Sequence, residues 1–287
     1  MSTPPGDAPD PDRAGVRRRP EQLLLAFMGE LMVAGGAGPL PASVLIAVLG
    51  ELGVGEAATR AALTRMAARH LLAPVRVGRT VSYGLTPESV RVLGEARDRV
   101  FDDDPFAPHG SGWTLVSFSV PERRRDVRHR VRAQLAWAGF GLLRDGLWIA
   151  PGEVDVARAL GGVHDDEPDG VDPDDGDLEL LAFRAHEVPG FSAARSVRTA
   201  WRLEAMAARH EQFQDRWADR EPDVDHALRD VTALVADWLD LLRAVPRLPV
   251  EHLSPDWPAA RSVATFRRLH AALAGPAQAD LARRLTA

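Results

Sequence analysis

Apolar residues recur at helical spacing in "PEQLLLAFMGELMV", through Leu23, Phe27 and Leu31, and Gly35 and Gly36 close the run. A second helix is predicted from near Pro41, where proline suits a first-turn position, to about Leu52. The short link at Gly53–Glu56 opens a third, which reaches about Leu71. Three helices with Gly-containing links suit a helix-turn-helix. "APVRV" and "TVSYGL", two β-prone runs about Gly78 and Arg79, then read as a hairpin, which makes the unit winged. Thr86 is placed to cap a fourth helix, with Pro87 and Glu88 in its first turn, ending near Phe101.

After the linker "DDDPFAPHGSG" the pattern changes. "WTLVSFSV" from Trp113 is a strand, and Pro121–Gly139 is a helix with Val127, Val131 and Leu135 on one face. "FGLLRDGLWIAP" reads as a hairpin turning at Arg144–Gly146, Asp155–Leu160 as a short helix and "LELLAFRAHEV" as a last strand. The order β-α-β-β-α-β predicts a ferredoxin-like domain, a four-stranded sheet on two helices. From Ser192 the period is helical through Trp201, Met206, Phe213, Trp217, Leu234, Trp238 and Leu241. "VPRLPVEHLSPDWP" interrupts it, and a final pair of helices is expected from about Ala259 to Leu285.

The predicted class is therefore α+β and multidomain. A disordered tail spans 1–19 and a winged helix-turn-helix domain 20–102. A ferredoxin-like central domain spans 112–188, with an acidic loop near 164–177, and an all-α C-terminal domain 192–287.

Composition narrows the chemistry. The chain of 287 residues has no cysteine, so disulfides, thiolate metal sites and cysteine nucleophiles are excluded. It has no lysine either; all 35 basic residues are arginine. Phosphate-binding loops ending in Gly-Lys and Schiff-base lysines are thus impossible, and a guanidinium, which keeps its proton, cannot replace them. No apolar stretch approaches the ~20 residues of a membrane span, and the N-terminus lacks a signal-peptide core. A cytoplasmic protein without membrane contact is expected.

Charge then singles out one segment. The formal net charge is −6, yet Thr59–Thr86 holds Arg60, Arg65, Arg69, Arg76 and Arg79 and no carboxylate. On a helical wheel Thr59, Ala62, Leu63, Met66 and His70 share the packing side. Arg60 and Thr64 lie opposite, with Arg65 and Arg69 in an adjacent stripe. The outward face of such a helix enters the major groove, where arginine grips guanine through two hydrogen bonds. Arg76, Gly78 and Arg79 belong to the wing, where phosphate or minor-groove contact is expected. Double-stranded DNA is the expected partner; the alternative is a solvated helix face.

The same stretch, "TRAALTRMAARHLLAPVRVGRTVSYGLT", resembles the recognition helix and wing of the PaaX family. The segment "WTLVSFSVPERRRDVRHRVRAQLAWAGFGLLRDGLWIAP" is similar to that family's central domain, above all in Gly139-Phe140-Gly141 and Gly146-Leu147-Trp148-Ile149. "LPVEHLSPDWPAARSVATFRRL" resembles its C-terminal domain. The resemblance implies a homodimeric repressor that leaves its operator when an acyl-CoA such as phenylacetyl-CoA binds. It carries Arg60, Arg65 and the Gly78-Arg79 tip over as DNA contacts. Two residues depart from the pattern: His70 stands where glycine is usual, and His210 where an aromatic residue is expected. For the phosphates of such an effector, Arg195, Arg198 and Arg202 are candidates by proximity in sequence, with Trp201 beside them.

Rival signals are weaker. The first strand of the central domain carries no acid with which to hold a nuclease metal. The arginine run from Arg123 to Arg132 is interleaved with Glu122 and Asp126, as on a solvated face. "DPDDGD" lacks the closing glutamate of a calcium loop, and His210-Glu211 is followed by Gln214 where a zinc protease needs its second ligand. No catalytic residue, metal site or cofactor is expected. The alternatives are a ligand-binding enzyme or an RNA-binding protein that retains the helix-turn-helix. The first lacks a poised acid, base or nucleophile; the second has only Tyr83 for stacking on the wing.

Overall fold

A computed structural model describes residues 18–33, 36–78, 80–164, 178–190 and 192–286. The tail before Arg18, the wing-tip residue Arg79 and the acidic loop from 165 to 177 lie outside the described residues. The fold is mixed α+β, with ten α-helices and two antiparallel sheets among the described residues. The chain divides into two compact units, one of residues 1–94, 224–236 and 274–287, the other of 95–223 and 237–273.

In the first unit, α1 (Pro20–Met28) opens on a proline and continues as a π-helical turn over Gly29–Val33. Leu23, Leu24, Phe27 and Leu31 are buried along one stripe. Helix α2 (Ala42–Glu51) buries Val44, Leu45, Val48 and Leu49, and α3 (Glu56–Ala68) buries Thr59, Ala62, Leu63 and Met66. One member of the predicted packing face departs. His70 lies beyond the helix end, is exposed and has φ 55°, a left-handed conformation that halts the helix and turns the ring outward. Glycine adopts that conformation without strain, so the backbone accounts for glycine being usual here, whereas His70 holds a conformation that a side chain disfavours.

Strands β2 (Leu72–Val77) and β3 (Thr80–Leu85) pair from Leu72↔Leu85 to Val77↔Thr80. Strand β1 (Leu40–Pro41), not predicted from the sequence, lies on the far edge of β3 through Leu40↔Tyr83. It is two residues long, too short to leave a periodic signal. Helix α4 (Pro87–Val100) starts at Thr86, whose Oγ1 accepts the Ser89 N–H at 3.2 Å.

The second unit holds a four-stranded sheet of β4 (Trp113–Ser119), β5 (Gly141–Arg144), β6 (Leu147–Pro151) and β7 (Glu179–Ala185), in the order β5-β6-β4-β7. Period-two alternation sends its side chains to two faces. Val116, Trp148 and Ala150 meet Val127, Val131 and Leu135 of α5 (Arg125–Trp137) and Leu160 of α6 (Val156–His164). On the other face Trp113 and Ile149 meet Ala193 and Val197 of α7 (Ala193–Ala200) and Trp201. Gly141 makes that packing close: a Cβ there lies 2.7 Å from both the Ala200 Cβ and its carbonyl oxygen.

Helices α8 (Leu203–Trp217), α9 (Ala227–Ala244) and α10 (Ala259–Thr286) complete the chain. Trp238 stacks on Phe266 with ring centroids 4.6 Å apart and leans on Phe213 at 5.4 Å. Trp201, Trp217 and Trp238 are buried, and the Trp217 Nε1 donates to Asp237 at 2.9 Å. The expected final pair of helices is instead one helix with Pro276 inside it. Leu269, Leu273, Ala277 and Leu281, spaced by four, are all buried, and this continuous apolar stripe outweighs the hydrogen bond that the proline removes.

Candidate nucleic-acid interface

Packing decides the orientation of α3. Thr59, Ala62, Leu63 and Met66 fix its inner side, so Arg60, Thr64, Arg65 and Arg69 stand together on the exposed side. Thr64 Oγ1 donates to the Arg60 carbonyl at 3.0 Å. Arg76 on β2 is exposed and makes no ion pair among the described residues. The hairpin turns at Gly78, whose φ of 62° suits a residue without a side chain.

The arginines of α3 are not free of carboxylates. Arg60 Nε lies 2.8 Å from Glu56, one turn earlier, and Glu21 of α1 reaches across to Arg65 at 2.9 Å and Arg69 at 2.6 Å. The hydrogen bond from Arg65, helped by Arg69, holds the Glu21 carboxyl below its ordinary range although partial burial opposes this. Glu56 was legible as the fourth residue before Arg60. Glu21 was not, because 44 residues separate it from Arg65. These pairs leave the guanidinium groups accessible: the side chains of Arg60, Arg65 and Arg69 are 61%, 58% and 57% exposed. An exposed ion pair contributes about 0–1 kcal/mol, so a polyanion exchanges for it at small cost.

The second arginine-rich segment is arranged differently. Arg125 and Arg128 share Glu122 at 2.6 and 3.3 Å, and Arg130 faces Asp126 at 3.5 Å, a self-compensated surface. Of the effector candidates, Trp201 is buried and donates Nε1–H to the Gly139 carbonyl at 3.3 Å. Arg195, Arg198 and Arg202 are exposed and make no ion pair among the described residues. His210 is fully buried, with Nδ1 2.9 Å from Ser262 Oγ and Nε2 without a partner. Burial, with Arg261 nearby, pushes its pKa down to about 4. Among the described residues no cluster of three or more His, Asp or Glu is arranged to hold a metal, and no helix is long and apolar enough to cross a membrane.

Three stretches match descriptions of one family: residues 19–89 "PaaX-like protein", 107–161 "PaaX protein central Cas2-like domain", and 201–283 "PaaX-like protein C-terminal domain". The transcriptional repressor PaaX of Escherichia coli (strain K12) is 28% identical over 229 residues, 74% of this chain and 67% of that protein. An uncharacterized protein of Mycobacterium tuberculosis, Rv0674, shares the fold with a TM-score of 0.54 and 23% identity, over 90% of this chain and 96% of its own. In class, the chain is a transcriptional regulator and not an enzyme. It belongs to the PaaX family.

Proposed function

We propose that the chain is a cytoplasmic, sequence-specific DNA-binding repressor, with its first three helices and β2–β3 hairpin working as a winged helix-turn-helix. The observation that carries this reading is the face of α3 on which Arg60, Thr64, Arg65 and Arg69 stand exposed opposite a fully buried stripe. That face enters the major groove, Arg60 and Arg65 reading bases, while Arg76, Gly78 and Arg79 follow the backbone. A homodimer places two such helices on a palindromic site, about one helical turn apart or a multiple of it. Strand β7 supports a second copy, since it closes one edge of its sheet and exposes Leu181 and Phe183 at 51% and 59%. The strand order β5-β6-β4-β7 suits a ferredoxin-like reading of that sheet.

Release is assigned to an acyl-CoA such as phenylacetyl-CoA, and the unpaired Arg195, Arg198 and Arg202 are suited to its phosphates. Such control needs only ~1–3 kcal/mol of coupling between ligand and DNA. The test is selection of bound duplexes from a random pool by the full chain, repeated with Arg60→Ala. Enrichment of a palindrome whose base preference the variant relaxes supports the proposal; absence of any enriched sequence overturns it. Acyl-CoA thioesters that fail to displace the enriched duplex remove the proposed release mechanism alone.

A further inference from the structure

We infer that a cleft in the second unit is a binding site for an aromatic ligand bearing a cationic amine, separate from the arginines assigned to an acyl-CoA. The cleft has a volume of about 1050 Å³ and is walled by segments within 103–113, 186–187, 245–257 and 259–267. Ligand clefts commonly span roughly 300–1,000 Å³, so this one has room for a drug-sized molecule.

Its apolar wall combines aliphatic and proline side chains with three aromatic ones. Phe106, Trp113 and Trp257 line it. Phe106 is buried and packs edge-on with His210 at 4.8 Å and Trp238 at 5.7 Å between ring centroids. Trp113 is stacked on His252 at 5.8 Å and 17°. Phe106 and Trp113 are buried, so the half-buried Trp257 is the ring left for contact with a flat ring or a cation.

Charge selects between ligands. Asp103, Asp104, Glu187 and Glu251 line the cleft against one guanidinium, Arg267. Arg267 is already occupied: it donates to the carbonyls of Asp102 at 3.1 Å and Asp103 at 2.9 Å and faces the Asp103 carboxylate at 3.5 Å. Glu187 is bonded to His252 Nε2 at 2.9 Å. Asp104 and Glu251 are exposed and make no ion pair among the described residues. An anionic ligand therefore meets like charge, and the one guanidinium among the described lining residues is already engaged. An amine finds these two carboxylates lining the same cleft as the half-buried Trp257, and both ion pairing and cation–π attraction favour it.

The binding claim stands on the cleft alone; only its consequence for DNA release rests on the repressor reading. The test is calorimetric titration of the full chain with tryptamine, tryptophol and indoleacetate, which carry a similar ring and a positive, neutral or negative end. Tryptamine is expected to bind at least ~10-fold more tightly than indoleacetate, with affinity falling as salt rises. The double variant Asp104→Asn, Glu251→Gln is expected to weaken tryptamine by at least ~5-fold while leaving tryptophol unchanged. Both carboxylates are exposed, so the fold is not at risk. Equal binding of the three compounds, tighter binding of indoleacetate, or a double variant that binds tryptamine as well as the parent overturns the proposal. A chain that binds tryptamine but enriches no duplex leaves this site standing and removes the repressor reading.

Discussion

Glu21 in the first helix and Arg65 in the third are joined by a 2.9 Å hydrogen bond, and the second oxygen of the same carboxylate takes Arg69 at 2.6 Å. One acid thus occupies two of the four exposed side chains on the proposed reading face. In the proposed complex, duplex phosphates and bases would displace it, so the carboxylate would act as a weak internal competitor. Glu21→Gln is expected to raise affinity for any duplex by roughly 2- to 10-fold, since two exposed pairs are worth about 0–1 kcal/mol each. Anisotropy titrations across a salt series measure it. Unchanged affinity in the variant would mean that Glu21 does not compete with DNA for the two arginines.

On the proposed reading, Arg60 and Arg76 separate base reading from backbone contact. Arg60→Ala is expected to cost about 1–3 kcal/mol on the enriched duplex and little on random DNA. Arg76→Ala is expected to weaken both alike and to lower the salt slope by about one. If the two variants behave identically, the assignment of separate roles to helix and wing is wrong.

His210 predicts an acid limit on stability. Its folded pKa of about 4 lies below the ordinary 6.5. Above pH 6.5 the ring is neutral folded and unfolded, and nothing is lost. Between that value and about 4 the unfolded chain takes up a proton that the folded chain refuses, so stability falls with falling pH. Below that window both states are protonated and the loss levels off. The total is on the order of 3 kcal/mol, at about 1.4 kcal/mol per pH unit. Urea unfolding of the parent and of His210→Phe, compared from neutral to acid pH, checks it: the parent is expected to lose stability faster. Parallel curves refute the role of this histidine.

Gly141 tests the close packing of α7 on β5. A methyl group there meets Ala200 at 2.7 Å, backbone oxygen included, so the neighbour cannot yield by a rotamer change. Gly141→Ala is expected to destabilise by about 1–3 kcal/mol. Gly146→Ala is an informative partner because no atom lies within 4 Å of its added Cβ, and its cost is confined to the strain of φ 73°. A thermal melt in which the two variants unfold together would remove steric exclusion as the reason for glycine at 141.

Much of the architecture is written locally. The stripe of Leu23, Phe27 and Leu31, the alternation of Trp113 to Ser119 and the cap at Thr86 are short-range consequences of period and capping, and each element formed where its pattern lies. Two signals misled. A pair of helices is expected from about Ala259 to Leu285, but burial of Leu273 and Ala277 on either side of Pro276 carries one helix through. His70 fitted the wheel of α3, but a wheel has no knowledge of where the helix stops, and the left-handed φ at this residue turns it out.

The sequence by itself determined that no thiol or lysine chemistry operates here, and that Thr59–Thr86 concentrates arginine in an acidic chain. It also determined which side of α3 is apolar, because a period of 3.6 residues is a property of neighbours. Tertiary structure alone decided that Glu21 reaches Arg65 and Arg69 and that His210 loses contact with water. It alone assembled Phe106, Trp113, Glu251 and Trp257 into one cleft. Electrostatics and burial depend on distance through space, and residues dozens to more than a hundred positions apart become neighbours only once the helices and strands have packed.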